Sequence, residues 1–203
     1  MFGESRQVLS KLYKIIPGPY WGLFSMISGL LGDILAIAFF PDFNLNHMIS
    51  ALGAGPGAIY FNIGTILSGL FALLFYLYMI KVIGRGTQNP KIRKVGRFFA
   101  IISCIFFSLV GVFPTSLNMI IFVLHGTFAL ISWLSAIIYL SIFSFLIFEN
   151  KVIPKFFGYL ALITTVTIII FLLTWIPIIE WMVALGVTVW ITSPSVYMLY
   201  RKV

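Results

Sequence analysis

Charged residues are what this 203-residue sequence has least of: only 9% of its residues are charged, and Asp and Glu together number five. Soluble domains contain about 25% charged and about 45–50% apolar residues, whereas 61% of this chain is hydrophobic. The shortage of charge excludes an ordinary soluble domain, a disordered chain and a nucleic-acid-binding protein with a solvated basic surface. An integral membrane protein is the class that remains.

Cysteine and the common catalytic motifs are also scarce. The single Cys104 cannot form an internal disulfide, and it lies in an apolar run where a small buried side chain is expected. The chain has no HExxH, CxxC, G-x-S-x-G or Walker-type motif. We therefore predict no metal and no cofactor. A zinc site built from Asp33, His47 and His125 is the one metal site that these residue types allow.

Long apolar runs are what the sequence has in abundance. A spanning helix needs about 20 apolar residues, so a chain of this length has room for about six. We predict an all-α integral membrane protein with one domain, residues 1–203, built as a six-helix bundle. The predicted spans are residues 19–40, 56–80, 97–112, 118–148, 154–175 and 177–200. Residues 1–18 are predicted to form an arm with an amphipathic helix lying at the membrane interface.

The basic residues predict the orientation of these spans. All 13 Lys and Arg residues fall in the N-terminal arm, in the loop between the second and third spans, in the loop between the fourth and fifth, and at the C-terminus. The alternate loops, residues 41–55, 113–117 and 176–180, contain none. The positive-inside rule therefore predicts a multi-pass protein of the cell membrane with both termini in the cytosol.

A few polar residues lie inside the predicted spans, where burial in lipid is costly. We count Asp33 as the only acid within a span and His125 as the only histidine. Asn62 and Ser108 share their depth, roughly 10 Å from the outer ends of four different helices. All four lie on stripes of small residues, which mark packing faces of membrane helices. The spacing predicts an outward-facing polar pocket in which Asp33 and His125 lie within direct or water-bridged reach.

Two interpretations of this polar layer stay open. In the first, Asp33 bonds to Asn62 or His125 and the layer only fixes helix register. In the second, the layer is the floor of a pocket that binds a polar headgroup, carries a proton or performs acid–base chemistry.

The first outer loop and the following turn supply further candidates. Leu45, Met48, Ile49 and Leu52 have helical spacing, which predicts a short helix over the outer mouth of the bundle. Asp42 and His47 are candidates to cap the pocket, although a solvated loop histidine is the commoner outcome. Pro114 is expected to end the third span and to make the third and fourth spans antiparallel neighbours.

Several motifs, taken in order, carry a resemblance to a known family. These motifs are His47 to Gly53, Phe61-Asn62 with Gly64, Ser68-Gly69-Leu70, Gly111 to Pro114, and His125. They resemble the domain-of-unknown-function 998 membrane-protein family over about residues 20–200. The resemblance implies a six-span fold, distantly similar to the Frag/DRAM/Sfk membrane proteins, in which an Ile-Ser-Asp-x-Gly element occupies the same loop. Ala51 stands here where that Asp would be.

The resemblance implies no established activity. It singles out six positions, which overlap the polar layer: Ser50, Gly53, Asn62, Gly111, Pro114 and His125.

The function expected from the sequence is that of a lipid-interacting or accessory membrane protein. One alternative is an intramembrane enzyme acting on lipid headgroups, with Asp33 and His125 as an acid–base pair. A small transporter and a subunit of a larger membrane complex are further alternatives, and the two halves of the chain show no convincing inverted repeat to favour the transporter. The expected partners are membrane lipids and other membrane subunits, not nucleic acid.

Overall fold

The computed structural model describes residues 2–85, 89–115 and 118–202, and only the backbone of residues 2–6. Within these ranges the chain forms seven α-helices and one short 3-10 helix. They are α1 Phe2–Ile15, α2 Gly18–Ala38, the 3-10 helix Ile49–Ala54, α3 Ala58–Ile83, α4 Pro90–Val112, α5 Met119–Glu149, α6 Phe156–Thr174 and α7 Pro177–Arg201. Ser116, which belongs to the predicted turn after the third span, lies outside the described residues.

Helices α2 to α7 are each long and apolar enough to cross a membrane. This finding confirms the predicted fold, an all-α bundle of six candidate spans that makes the chain a multi-pass membrane protein. The interfacial position of α1 and the cytosolic location of the termini stay predictions.

The first two turns of α4 are the largest difference from the predicted spans. The helix begins at Pro90, seven residues before the predicted start of the third span. The side chain of Asn89 caps it by accepting hydrogen bonds from the N–H groups of Lys91 and Ile92, at 3.1 and 3.3 Å. Pro90 suits the first helical position because no N–H is needed there. These turns are rich in Lys and Arg, so hydropathy alone does not detect them.

The six candidate spans form a closed ring. Each helix from α2 to α6 packs on the next one in the chain, and α7 packs on α2. We call the end where α2 begins and α7 ends the terminal side, and the opposite end the loop side. The 3-10 helix lies on the loop side, against α2, α3 and α7. The predicted antiparallel pairing of the third and fourth spans is confirmed by the packing of α4 on α5.

Glycines allow α3 and α4 to approach closely. A Cβ on Gly69 would collide with the Ser108 hydroxyl, and a Cβ on Gly111 would lie 2.6 Å from the carbonyl oxygen of Asn62. Gly111 is therefore a packing position between these helices.

The terminal side contains most of the larger of the two buried hydrophobic clusters. Phe75, Phe143 and Trp190 are fully buried there. Asn150, at the end of α5, donates through Nδ2 to the carbonyls of Val82 and Ile83 at 3.3 and 2.9 Å. Its Oδ1 accepts from the N–H groups of Val152 and Ile153 at 2.7 and 3.1 Å. One amide thus joins the end of α3 to the loop between α5 and α6.

Helix α1 contacts the bundle through Tyr13. The phenol donates a hydrogen bond of 2.7 Å to the carbonyl of Leu74, and the ring meets Tyr78 edge-on with 5.4 Å between centroids. Lys81 Nζ lies 5.3 Å from the centroid of the Tyr13 ring. Burial raises the pKa of Tyr13 above its ordinary value. Tyr13 therefore fixes the end of α1 against α3.

The segment before the 3-10 helix differs from the expected helix over residues 45–52. The 3-10 helix begins only at Ile49, because Asn44 forms a local turn in which its Oδ1 accepts from the N–H of Asn46 at 2.9 Å. Leu45 is left 56% exposed, whereas Leu52 is fully buried. Three of the four residues of the predicted apolar stripe, Met48, Ile49 and Leu52, therefore pack against the bundle.

Candidate functional site: a cavity inside the helix ring

A cavity of about 160 Å³ lies inside the ring, between its middle and the loop side. Among the described residues, α2, α3, α4, α5, α7 and Ile49 of the 3-10 helix line it, and no residue of α6 does. Its lining on α7 runs from Glu180 to Ile191, which is about 16 Å at 1.5 Å per residue.

Two carboxyl groups lie at the loop-side end of this cavity. Asp33 comes from the last turns of α2 and Glu180 from the first turn of α7, and both line the cavity. The two groups are close enough to interact electrostatically. Glu180 is only 6% exposed, whereas Asp33 is half-buried. The packing of α7 on α2 therefore brings two acids together from opposite ends of the sequence.

Glu180 is held by the 3-10 helix. Its carboxylate accepts hydrogen bonds from the hydroxyl of Ser50 and from the backbone N–H groups of Ile49 and Ser50. Pro177 starts α7 and puts Glu180 in its first turn, where an acid interacts favourably with the helix dipole. Among the described residues, its buried Oε2 has no hydrogen-bond partner. Glu180 is thus a buried acid at the cavity whose hydrogen bonding is incomplete within the described part of the chain.

The sequence analysis missed Glu180. Its count of Asp33 as the only acid within a span is wrong, because Glu180 is the fourth residue of α7. The signal was present in the sequence, since residue 180 lies inside the predicted span 177–200, directly after the Pro177 that begins it.

Paired serines line the middle of the cavity. Ser25 of α2 donates to the carbonyl of Ser68 on α3 at 2.9 Å. Ser103 of α4 and Ser132 of α5 donate to each other's carbonyls at 3.1 and 3.0 Å. Each pair ties two neighbouring helices together. Because these hydroxyl hydrogens are used inside the protein, the hydroxyls of Ser25, Ser103 and Ser132 present mainly lone pairs to the cavity.

Aromatic rings and a thiol close the far end. The Tyr139 hydroxyl donates to the Tyr76 hydroxyl at 3.0 Å, and the ring centroids are 4.9 Å apart. Cys104 is buried beside them, as expected, and lines the cavity. The cavity is therefore acidic at one end and largely apolar along its walls and at the other end.

Of the four polar-layer candidates, the structure brings only Asp33 into this cavity. Asn62 Nδ2 donates to the carbonyl of Gly53 at 3.3 Å and so holds the 3-10 helix on α3. Ser108 donates to the carbonyls of Ile66 and Cys104, at 3.3 and 3.0 Å, between α3 and α4. Both side chains fix helix packing in this structure.

His125 supports the turn between α4 and α5. Its Nδ1 lies 2.9 Å from the Phe113 carbonyl and its Nε2 lies 3.2 Å from Thr115 Oγ1. Both ring nitrogens are therefore engaged at the turn. Across the described ranges, no hydrogen bond or ion pair joins His125 directly to Asp33.

The outer-loop candidates take different positions. Ser50 bonds Glu180, and its own carbonyl accepts from Thr115 Oγ1 at 3.3 Å. Gly53 is buried, and a Cβ there would lie 3.0 Å from Asn62 Oδ1. Asp42 is exposed and His47 half-buried, and neither lines the cavity.

His47 and Pro114 both act through the backbone of the loop side. The carbonyl of His47 accepts from Trp181 Nε1 at 3.1 Å, so the loop is held to α7 through its main chain. Pro114 follows directly after the end of α4, where a residue without an N–H can leave the helix.

The lining of the cavity contains acidic side chains but, among the described residues, no basic ones. The chain carries a formal net charge of +8, yet among the described residues no Lys, Arg or His lines the cavity. No group of three His, Cys, Asp or Glu residues that could hold a metal ion occurs in the described ranges. The zinc arrangement of Asp33, His47 and His125 is therefore not assembled there. What the site offers chemically is two carboxyls and hydroxyl lone pairs inside an apolar shell.

Comparison with known proteins places the chain in a family. The family described as "Protein of unknown function (DUF998)" matches residues 22–197, which include all six candidate spans in whole or in large part. The chain belongs to the DUF998 family. This confirms the resemblance found in the sequence, and in this member of the DUF998 family the matched segment contains Asp33, Glu180 and every other residue that lines the cavity. No curated protein and no solved structure matches the chain.

Proposed function

We propose that this protein binds a small amphipathic molecule in the cavity inside its helix ring. The observation that supports this proposal is the combination of apolar walls and an acidic end within one cavity enclosed by candidate membrane spans. A binding site is typically an apolar cavity with a few convergent polar groups that orient the ligand. A cavity with this character in a membrane protein suits a molecule that partitions into lipid.

The volume limits what enters. A cavity of about 160 Å³ is close to the roughly 150 Å³ that accommodates benzene in an engineered protein cavity. A two-chain lipid is far larger than this. The ligand is therefore a small molecule, or one end of a lipid whose remainder stays outside the bundle.

We further propose that both termini lie in the cytosol and that the acidic end of the cavity lies in the outer half of the cell membrane. The support is the distribution of all 13 basic residues, which fall at the chain ends and in the helix ends and loops of the terminal side. In this orientation α1 lies at the cytosolic interface, with Lys11 and Lys14 exposed, and the pocket faces outward.

The other functions considered have less support from the geometry. An acid–base enzyme built on Asp33 and His125 needs the two side chains together, whereas His125 bonds the turn after α4. A subunit of a larger complex would be recognised by a partner helix that stays bound during purification, so it is an outcome of the experiment below.

Native mass spectrometry of the full chain in mild detergent tests the proposed binding. The protein is titrated with hexylamine, hexanol and hexanoate, which share one tail. We expect at least one of them to add a single bound molecule to the wild type. Ala184→Leu should abolish this adduct because Ala184 lines the cavity and the larger side chain fills it.

Ala38→Leu is the matched control, because Ala38 is the exposed last residue of α2 and does not line the cavity. It should bind like the wild type. Equal binding by both variants, or no adduct with any of the three molecules, would contradict the proposal. A protein partner retained in place of the small molecule would favour the accessory-subunit alternative.

A further inference from the structure

The polar end of the cavity carries two acidic side chains and, among the described residues, no basic one. This difference in charge decides which ligands the cavity can bind. We propose that the site selects a cationic polar group, a protonated or quaternary amine at the end of an apolar tail. This inference rests on the proposed binding function and adds the chemical class of the ligand.

Glu180 provides the first argument. Its side chain is 6% exposed, its other contacts are the donors of Ile49 and Ser50, and its Oε2 has no partner within the described part of the chain. A buried polar atom without a partner is costly, and more so when its group is charged. A donor that enters the cavity and carries a positive charge satisfies this oxygen and neutralises the carboxylate at the same time.

Asp33 provides the second argument. It lines the same cavity from α2 and interacts electrostatically with Glu180. Two like charges disfavour each other's ionised form, and no Lys, Arg or His among the described residues lines the cavity to offset them. A cation between the two acids adds two attractions, which offset the repulsion between the carboxylates. An anionic ligand would add a third negative group.

The hydroxyl groups and rings around the acids agree with a cation. Ser25, Ser103 and Ser132 already donate to backbone carbonyls, so they can accept from a ligand more readily than donate to it. Phe61, Tyr76 and Trp133 also line the cavity, and aromatic faces attract ammonium groups. An amine therefore finds acceptors, whereas a carboxylate or phosphate finds few donors.

Competition among three matched molecules tests the ligand class. Hexylamine, hexanol and hexanoate are titrated into the wild type at constant ionic strength and at a pH where the amine is protonated. We expect hexylamine to bind about tenfold more tightly than hexanol, as for one charged hydrogen bond, and hexanoate to bind most weakly.

Three acid-to-amide variants locate the preference. Glu180→Gln and Asp33→Asn should each remove most of the preference for hexylamine over hexanol while hexanol binding persists. Asp42→Asn is the control that removes the same charge. Asp42 is exposed in the loop between α2 and the 3-10 helix and does not line the cavity. It should keep the full preference. Should Glu180→Gln fail to fold, Asp33→Asn alone still decides, since Asp33 has no part in holding the 3-10 helix.

The possible results separate this inference from the proposed function. Binding of all three molecules with equal affinity would overturn the cationic preference and leave the binding function intact. Absence of binding by any of them would overturn the binding function itself. Loss of hexylamine binding when sodium chloride replaces caesium chloride at the same ionic strength would mean that a small inorganic cation occupies the site, and would overturn the amine.

Two membranes distinguish the source of the amine. Hexylamine binding is compared in nanodiscs of phosphatidylethanolamine and of digalactosyl diacylglycerol, which both lack a net charge and differ in their headgroup amine. Weaker hexylamine binding in phosphatidylethanolamine supports the amine class and identifies a lipid headgroup as competitor. Equal binding in both membranes supports the amine class and identifies a free small amine as the ligand.

Discussion

Gly32 of α2 and Gly64 of α3 face each other at a crossing that has no room for a side chain. A Cβ on either glycine would lie 2.9 Å from the Cα of the other, and about as close to a backbone carbonyl, Tyr60 for Gly32 and Ser28 for Gly64, at 2.8 Å. Close approach of this kind is how membrane helices gain packing energy without a hydrophobic driving force between them. It also places Asp33, the next residue after Gly32, beside the cavity.

Gly64→Ala should therefore destabilise the protein by about 1–3 kcal/mol, because the added methyl group meets backbone atoms that cannot rotate away. Thermal unfolding in detergent measures this effect. Gly126→Ala is the control, since a Cβ at Gly126 on α5 meets nothing within 4 Å and Ala favours the helix. An unchanged melting temperature for Gly64→Ala would show that α2 and α3 do not cross at this point.

His125 and Asp33 should act independently. In the structure His125 bonds Phe113 and Thr115, whereas Asp33 lines the cavity. The free energies of unfolding lost in His125→Ala and Asp33→Ala should therefore add within about 0.3–0.5 kcal/mol. By contrast, His125→Ala combined with Thr115→Val should cost less than the sum of the two single changes, because they remove the same bond.

Urea unfolding of the two double mutants and their single variants provides these numbers. Strong coupling between positions 33 and 125, with none between 125 and 115, would restore the polar layer expected from the sequence and contradict the geometry described above.

Asn150 should be among the polar residues most sensitive to substitution. Asn150→Ala leaves the carbonyls of Val82 and Ile83 and the N–H groups of Val152 and Ile153 without its amide. Each buried group left unsatisfied costs about 1–3 kcal/mol, so we expect a loss of about 3 kcal/mol or more. Near pH 4 a protonated Asp in Asn150→Asp keeps the acceptor and one donor hydrogen in place of two, so its stability should be intermediate, measured by thermal unfolding. Equal stability of all three proteins would contradict this role.

The orientation predicts where reporters become active. Cytosolic reporters should be active when fused after residues 14, 90, 152 or 203, because the positive-inside rule predicts these positions to be cytosolic. Reporters active outside the cell membrane should respond after residues 45, 115 or 178. A cytosolic signal from residue 45 would reverse the orientation and place the acidic end of the cavity toward the cytosol.

The fold was largely predictable because its main signal is local. Runs of apolar residues between Pro, Gly and Lys/Arg clusters locate each span, and all six correspond to helices. The start of α4 at Pro90 was missed because its first turns are basic. The cap by Asn89 and the Pro at the first helical position are the signals that hydropathy ignores.

The candidate site was less predictable because it depends on long-range contacts. Residue spacing indicates which small and polar residues lie on packing faces. The shared depth of two polar residues in the membrane does not determine which group each of them hydrogen-bonds. His125 found the Phe113 carbonyl, one of the carbonyl groups that every helix leaves unsatisfied at its C-terminal end. Glu180 bonds residues 49 and 50, about 130 positions earlier in the chain, and no local pattern in the sequence indicates this pairing.

The order of helices around the ring has a consequence for how the protein is made. Because spans are synthesised one after another, α3 to α6 can each dock on the helix just inserted, which keeps these contacts local. Until α7 has been inserted the cavity is open on one side, since α7 supplies Glu180 and closes the ring by packing on α2. The ribosome must therefore finish nearly the whole chain before the site exists. A chain that ends before α7 contains five of the six candidate spans, but its Asp33 has no Glu180 beside it. Membrane quality control can recognise such an incomplete bundle.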